Sequence, residues 1–287
     1  MTSLRVSAAA FPLVACTPAA WVARFRAQAR VAADAGARIV VFPEYVTAGL
    51  LAASETSHTG THHAWADWTE LWLTTARACA RELNLLVVAG THLVAGGDGQ
   101  LSGMKNRCAL AWPDGSLDHQ DKLHPTPWER RWQVQPTAEV RIFEFDGVRF
   151  AVPICYDVEF PEGVRAATVA GAELLLVPSW TDDDHGFWRV RHCAQARCIE
   201  NVVYVAHAPL VGSLSEPPDF EQACGAAGIL TPCDTGFHRS GLAADGGWNQ
   251  TVVVTAELDF ERLRRIRTDG TVTPFADRRL ASGYVIC

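Results

Sequence analysis

Lysine is almost absent from this chain of 287 residues. Lysine and arginine together number 25, yet Lys105 and Lys122 are the only lysines, so arginine supplies nearly all of the positive charge. Arginine is always protonated and presents a planar fork, whereas lysine is a compact point charge whose pKa shifts readily. Each lysine therefore raises the question of what arginine could not do at that position.

The chain also lacks an excess of positive charge, with a formal net charge of −7. Nucleic acid is therefore not expected as a partner, because phosphate binding needs a basic face. Hydrophobic residues make up 48% and charged residues 20% of the chain, a composition that excludes disorder and predicts a sizeable core. Since no linker or low-complexity segment interrupts the sequence, we expect one domain over residues 1–287.

No apolar run approaches the roughly 18 residues that span a bilayer, so no membrane partner is expected. The nine cysteines are an odd number in a long chain, which favours a reducing cytoplasm over a disulfide framework. An alternative is a lipoprotein cleavage site at Leu13-Val14-Ala15-Cys16, although Pro12 interrupts the preceding apolar stretch. Leu4 to Phe11 also fits a buried first strand, and this interpretation is favoured.

Strand and helix patterns alternate along the chain. Thr17-Pro18 is typical of a helix start, and the helix is expected to end near Gly36. A β-branched strand follows at 37–44, then a helix at about 65–83 and a strand at 85–91. This order predicts βαβ units with parallel strands.

The second half of the chain repeats a feature of the first. Residues 35–43 and 170–178 both consist of a helix end, a glycine, a buried strand and a proline. The repeat predicts two related halves and hence two sheets, although two such junctions can also resemble each other by chance. Asp146-Gly147 predicts a hairpin between strands at 140–145 and 148–155.

Three potentially reactive residues follow predicted strands, where ligands bind in α/β sheets. They are Glu44, Lys122 and Cys155. Cys155 precedes Pro161, which is well placed to start a helix. Backbone N–H groups and a helix dipole near a thiol lower its pKa and offer an oxyanion site.

Four motifs occur in one order along the chain. They are Phe42-Pro43-Glu44, Asp121-Lys122-Leu123-His124, Cys155-Tyr156-Asp157 with Phe160-Pro161-Glu162, and Arg197-Cys198-Ile199-Glu200-Asn201. In this respect the sequence, from about Leu4 to Asp259, resembles the nitrilase superfamily of carbon–nitrogen hydrolases. The resemblance implies an α/β fold, a four-layer α-β-β-α sandwich, with no metal and no organic cofactor.

The resemblance also implies roles for the residues. Cys155 would be the nucleophile of a Glu–Lys–Cys triad, Glu44 its general base, and Lys122 a donor to the oxyanion beside the backbone N–H of Tyr156. Glu129 matches a second family glutamate that would orient Lys122 or the substrate amide. Members usually assemble through helices near the nucleophile, so a homodimer or a larger homo-oligomer is expected.

Tyr156-Asp157 after the nucleophile favours the amidase-like branch over the nitrilases. Trp180 and Thr181 would then line the pocket that binds the acyl group of the substrate. The predicted reaction is the hydrolysis of a small linear, non-peptide amide to a carboxylate and ammonia. Hydrolysis of a nitrile or an N-carbamoyl compound by the same triad, and a non-enzymatic binding scaffold, are the alternatives.

The sequence is also compatible with two other types of site. A papain-like site would pair the cysteine with His124 or His207. A zinc site would use one of two sets, which are His185, His192, Cys193 and Cys198, or Cys224, Cys233 and His238. A further histidine group, which is expected to be solvated or to lie at a pocket lip, consists of His58, His62 and His63.

Overall fold

The computed structural model describes residues 3–53, 65–96, 103–215 and 222–278. The histidine group at 58–63 lies outside these ranges. The strands are, in chain order, β1 (Ser3–Ala9), β2 (Phe11–Leu13), β3 (Ile39–Val41), β4 (Leu86–Ala95), β5 (Met104–Ala111), β6 (Leu117–Asp121), β7 (Phe143–Phe145), β8 (Val148–Ala151), β9 (Leu174–Ser179), β10 (Tyr204–Ser213), β11 (Gln222–Ala223), β12 (Gly228–Leu230), β13 (Leu242–Asp245) and β14 (Val253–Asp259).

The α-helices connect these strands or flank them. They are α1 (Pro18–Asp34), α2 (Thr69–Leu83), α3 (Pro127–Arg131), α4 (Pro161–Val169), α5 (Asp184–Asn201) and α6 (Phe260–Asp269). The Thr17 hydroxyl accepts a hydrogen bond from the backbone N–H of Ala20 at 3.3 Å, which caps α1 as the sequence predicts. Pro161 begins α4, also as predicted.

The strands form two sheets, and each sheet contains three neighbouring parallel strands. The first sheet runs β14-β1-β3-β4-β5-β6, and the second runs β13-β12-β10-β9-β8-β7, with β2 and β11 paired to β10. In the first sheet β1, β3 and β4 are parallel, and in the second β8, β9 and β10 are parallel. The repeated segments supply β3 and β9, each the middle strand of its parallel trio. The prediction of two sheets is therefore confirmed.

Alternating side chains divide the first sheet between two hydrophobic layers. Ile39 and Val41 point into the layer shared with the second sheet, whereas Val40 points into a layer with Trp21 and Phe25 of α1. Helices α1 and α2 cover this outer face, and α5 covers the second sheet along β10 and β12. The architecture is therefore an α-β-β-α sandwich, as expected from the resemblance.

The predicted hairpin forms, but its second strand is shorter than expected. Asp146 and Gly147 both have positive φ angles, 49° and 77°, as a two-residue turn between β7 and β8 requires. β8 ends at Ala151 rather than at Cys155. The chain leaves the sheet early and enters a 3₁₀ turn at Cys155–Glu159, so Cys155 lies in a turn rather than in the strand.

We expect Phe25→Ala to lower the free energy of unfolding by about 3–5 kcal/mol, measured by denaturant titration. The Phe25 ring is fully buried and stacks on Phe42 at a centroid distance of 3.9 Å, so its loss leaves a cavity between α1 and β3. Val31→Ala on the exposed side of the same helix is the control, with an expected change within about 0.5 kcal/mol. Equal effects of the two substitutions would contradict this description of the layer.

Candidate active site

Both sheets contribute to one cavity at the ends of their parallel strands. Glu44 follows β3 and Lys122 follows β6 of the first sheet, whereas Cys155 follows β8 and Trp180 follows β9 of the second. These side chains line a cavity of about 620 Å³. The structure therefore brings together the three reactive residues that the sequence leaves 33 or more positions apart.

Lys122 lies between two carboxylates inside this cavity. Its Nζ donates to Glu44 Oε1 and to Glu129 Oε2, each at 2.7 Å. All three side chains are at most 2% exposed. Buried charges are costly unless they are paired, so this ammonium is held by two opposing charges in a site with little water.

Asn106 and Tyr45 complete the hydrogen bonds of the two carboxylates. Asn106 Nδ2 donates to Glu44 Oε1 at 2.9 Å and to Glu129 Oε1 at 2.7 Å. The Tyr45 hydroxyl donates to Glu129 Oε1 at 2.6 Å. Glu129 thus accepts from three side chains, and its position is fixed.

The local sequence explains why Glu129 points inward. Thr126 caps the short helix α3, accepting from the Glu129 N–H at 3.2 Å, and Glu129 Oε2 accepts from the Thr126 N–H at 2.8 Å. This is a capping box, with proline at the first helical position. The Thr-Pro-Trp-Glu sequence therefore builds a rigid turn that presents the carboxylate to Lys122.

The two carboxylates have opposite pKa shifts. Burial raises the pKa of Glu44, and the negative charge of Glu129 adds to this, although Lys122 opposes it. Burial also tends to raise the pKa of Glu129, but the Lys122 charge and the donors around the carboxylate outweigh it and hold the pKa below its usual range. The surroundings thus favour the ionised form of Glu129, whereas Glu44 takes up a proton more readily than an ordinary glutamate.

Lys122 remains charged in this arrangement. Burial favours the neutral amine, but the two carboxylates reverse this effect and raise the pKa of Lys122 well above its ordinary value. Lys122 is therefore a donor of hydrogen bonds and not a base.

Cys155 occupies a strained turn. Its φ angle is +47°, a left-handed conformation that is uncommon for residues other than glycine. The Ser179 hydroxyl donates to Sγ at 3.4 Å, and Sγ–H donates to the Trp180 carbonyl oxygen at 3.3 Å. The backbone N–H of Trp180 in turn donates to Glu44 Oε2 at 3.0 Å, which places the carboxylate beside the thiol.

The sequence-based expectation of a lowered thiol pKa is wrong. Burial, together with the negative charge of Glu44, raises the pKa of Cys155, and Lys122 and Ser179 offset this only in part. The prediction considered helix and backbone dipoles but not the burial of the sulfur or the adjacent carboxylate. The resting thiol is therefore protonated and needs a base.

The three predicted substrate-contacting residues, Tyr156, Trp180 and Thr181, all line the cavity. The Trp180 ring packs edge-on against Tyr45 at 5.5 Å and against Trp128 at 5.1 Å, so one wall of the cavity is aromatic. The Thr181 hydroxyl donates to the Cys224 carbonyl oxygen at 2.8 Å. Apolar walls around a few polar groups are typical of small-molecule sites.

Comparison with known proteins agrees with this geometry. The model of the carbon-nitrogen hydrolase family matches residues 5–268. The chain belongs to this family. A probable hydrolase of Bacillus subtilis, YhcX, is 36% identical over 251 residues, which cover 87% of this chain and 48% of that protein.

Two further similarities concern a named enzyme and a solved structure. The 2-oxoglutaramate amidase of Bacillus subtilis is 31% identical over 183 residues, covering 62% of this chain and 66% of that protein. The crystal structure of a carbon-nitrogen hydrolase from Helicobacter pylori G27 has a TM-score of 0.79 at 16% identity, covering 97% of this chain and 96% of that one. The chain spans about half the length of YhcX.

The described residues of this family member do not assemble either of the alternative sites. His124 stacks on Phe160 at 4.0 Å, and His207 is fully buried against Phe187, whereas the Cys155 sulfur contacts Ser179, the Trp180 carbonyl oxygen and Glu44. Across the described ranges, metal-binding side chains come close enough together to share an ion at one surface group, consisting of Asp183, Asp184 and His185. Of the residues in the two predicted zinc sets, this group contains His185 alone, so neither set is assembled.

Three polar residues of the site are not among those predicted from the sequence, and they are Asn106, Tyr45 and Ser179. Asn106 is buried on β5, where its carbonyl oxygen accepts from the Lys122 N–H at 2.9 Å. A polar residue inside an apolar strand can indicate a functional site, but that Asn106 lies beside Lys122 is known only from the pairing of β5 with β6.

Among the described residues, no helix is long and apolar enough to cross a bilayer.

The raised thiol pKa predicts the pH dependence of Cys155 alkylation by iodoacetamide, followed by mass spectrometry. Because thiolate is the reactive form, the rate should still rise above pH 8.5, the ordinary thiol pKa. A rate that levels off below about pH 8 would show a stabilised thiolate instead and contradict the assignment.

Proposed function

We propose that this protein hydrolyses a small linear amide to a carboxylate and ammonia through a thioester on Cys155. The observation that carries the proposal is the contact of Glu44 with both Lys122 and the Trp180 backbone beside the Cys155 sulfur. Nucleophile, base and cationic donor thus share one buried cavity. The proposal rests on this arrangement together with membership of the family.

The first half of the reaction forms the thioester. Glu44 takes the proton from Sγ as the sulfur attacks the carbonyl carbon, and the carbonyl oxygen becomes an oxyanion. Glu44 then gives this proton to the amide nitrogen, the C–N bond breaks, and ammonia leaves. A carboxylate with a raised pKa suits both transfers, because it holds the transferred proton more readily than an ordinary glutamate does.

The second half releases the acid. Glu44 takes a proton from water as the water oxygen attacks the thioester carbon, and the C–S bond then breaks. The proton returns to the sulfur, and the resting thiol is restored. In both halves Lys122 Nζ stabilises the oxyanion, with the Tyr156 backbone N–H as the second proposed donor.

Two features favour an amide over a nitrile or an N-carbamoyl compound. The residues after the nucleophile are Tyr156-Asp157, a pair typical of amidase-like members. A relative at 31% identity is named a 2-oxoglutaramate amidase, so one similar protein bears the name of an amide-cleaving enzyme. The acyl group of the substrate follows from neither feature.

Ammonia release over a panel of amides, N-carbamoyl compounds and nitriles tests the proposal. We expect release with amides, and intact-mass spectra should show an added acyl group that Cys155→Ala removes. Cys79→Ala is a matched control, because Cys79 is buried in α2 and does not line the cavity. Neither adduct nor ammonia across the panel would favour a non-enzymatic scaffold.

The two lysines provide a second test. Lys122→Arg should lower kcat by about 10²–10³-fold, because a guanidinium fork cannot replace a compact donor held between two carboxylates. Lys105→Arg is the control, since Lys105 Nζ donates to backbone oxygens, that of Pro136 at 2.8 Å and that of Gln135 at 3.5 Å, and does not line the cavity. Retention of full activity by folded Lys122→Arg protein would refute the oxyanion role.

The pH dependence of kcat/KM tests Glu44 as the base. Glu44 must be ionised to accept the thiol proton, so activity should fall as the pH drops through its raised pKa. The acid limb should therefore lie above about 4.3, the pKa of an ordinary glutamate. Glu44→Gln should lower kcat/KM by about 10²–10⁴-fold. An acid limb at or below the ordinary value would argue against this base.

The assembly and location of the protein stay predictions from the sequence. Light scattering at micromolar concentration would separate the expected homodimer or larger homo-oligomer from a monomer. A cytoplasmic location is expected from the cysteine content alone.

A further inference from the structure

The Asp157 carboxylate is buried next to the site, and its hydrogen bonds go to backbone N–H groups and to the His124 ring rather than to Glu44, Lys122 or Cys155. It is 2% exposed. Its Oδ1 accepts from the His124 N–H at 2.8 Å, and its Oδ2 accepts from the Leu123 N–H at 3.2 Å and the Ile154 N–H at 3.0 Å. Three backbone donors therefore converge on one charged side chain.

These donors belong to two segments that the fold brings in from different sheets. Leu123 and His124 directly follow Lys122 after β6 of the first sheet. Ile154 directly precedes Cys155, which follows β8 of the second sheet. The Asp157 carboxylate thus links the turn that carries the nucleophile to the loop that carries the ammonium.

The nucleophile turn needs such support. Cys155 has a φ angle of +47°, and a strained backbone persists only where its surroundings hold it. Asp157 closes the turn twice, because its backbone N–H donates to the Ile154 carbonyl oxygen at 2.9 Å and its side chain accepts from the Ile154 N–H. Hydrogen bonds to an ionised acceptor are roughly twice as strong as neutral ones.

The Lys122 loop depends on the same carboxylate. Between Lys122 and the capping box at Thr126, the backbone N–H groups of Leu123 and His124 both donate to Asp157. The His124 ring also lies against it, with Nδ1 at 3.2 Å from Oδ1, and stacks on Phe160. The loop is therefore held at its start by Asp157 and at its end by the capping box.

We propose that Asp157 is a positioning residue that sets the distance between the Lys122 ammonium and the Cys155 sulfur. The role rests on the proposed function, since that distance matters only if Lys122 stabilises an oxyanion formed on attack by Cys155. Misplacement of a catalytic group by about 1 Å costs on the order of 10²-fold in rate. Asp157 acts through two segments and does not meet the substrate.

The test compares Asp157→Asn with Glu173→Gln. Asparagine has nearly the same shape but offers one acceptor oxygen and no charge. We expect kcat to fall about 10²-fold while KM stays within about twofold, because the cavity wall is retained and only the attack geometry changes. Glu173 is a matched buried carboxylate, paired with Arg264 at 2.7 Å outside the cavity, and its substitution should leave both constants unchanged.

Two results would overturn the proposal. One is a folded Asp157→Asn protein with the kcat of the parent, and the other is an equal loss of kcat in Glu173→Gln, which would show a general effect of losing a buried carboxylate.

Hydrogen exchange provides a measurement that needs no substrate. In the unmodified protein, the Leu123 and His124 amides should be protected, and Asp157→Asn should remove this protection while Glu173→Gln does not. If the Leu123 and His124 amides exchanged in the unmodified protein as fast as unprotected amides, the proposed connection through Asp157 would be refuted, even if the variant failed to fold. If no amide were hydrolysed, the proposed function would fail, but the exchange result would still decide whether Asp157 joins the two segments.

Discussion

A single buried ammonium shared by two carboxylates determines how the rest of the site behaves. Lys122 is held at 2.7 Å from both Glu44 and Glu129, and none of the three is appreciably exposed. One positive charge cannot fully compensate two negative ones in a dry site. Glu129, with more donors, keeps its charge, and Glu44 has the raised pKa. The acid–base role proposed for Glu44 therefore rests on the unequal hydrogen bonding of two chemically identical groups.

The double-sheet fold is what makes this cluster possible. The ammonium and both carboxylates come from segments that follow strands of the first sheet, whereas the thiol follows a strand of the second. The packed layer between the sheets keeps the two strand ends together. At the site, hydrogen bonds cross this boundary from the Trp180 N–H to Glu44 and from the Lys122 loop to Asp157. Packing of the two sheets brings the Lys122 ammonium and the Cys155 thiol near each other, and these hydrogen bonds fix their relative positions more closely.

Much of this could be predicted from the sequence. Proline and glycine positions predict the ends of α1 and the start of α4, and the repeated segments predict two sheets, because these signals are local or periodic. The direction of the Cys155 pKa shift was predicted wrongly, since burial and the approach of Glu44 are consequences of tertiary structure. Asn106 and Ser179 were missed for the same reason: their contacts depend on the pairing of β5 with β6 and of β8 with β9.

The raised thiol pKa changes how the nucleophile is understood. A permanent thiolate would attack oxidants and electrophiles without regard to the substrate, because thiolate is the reactive form of cysteine. Here the sulfur stays protonated, and its proton has an acceptor in Glu44, held beside it by the Trp180 backbone. In the proposed reaction, proton removal accompanies attack on a carbonyl whose developing charge Lys122 stabilises. The carboxylate that adds to the effect of burial on the thiol pKa is then also the proposed base, which would tie the reactivity of the sulfur to the presence of a bound carbonyl.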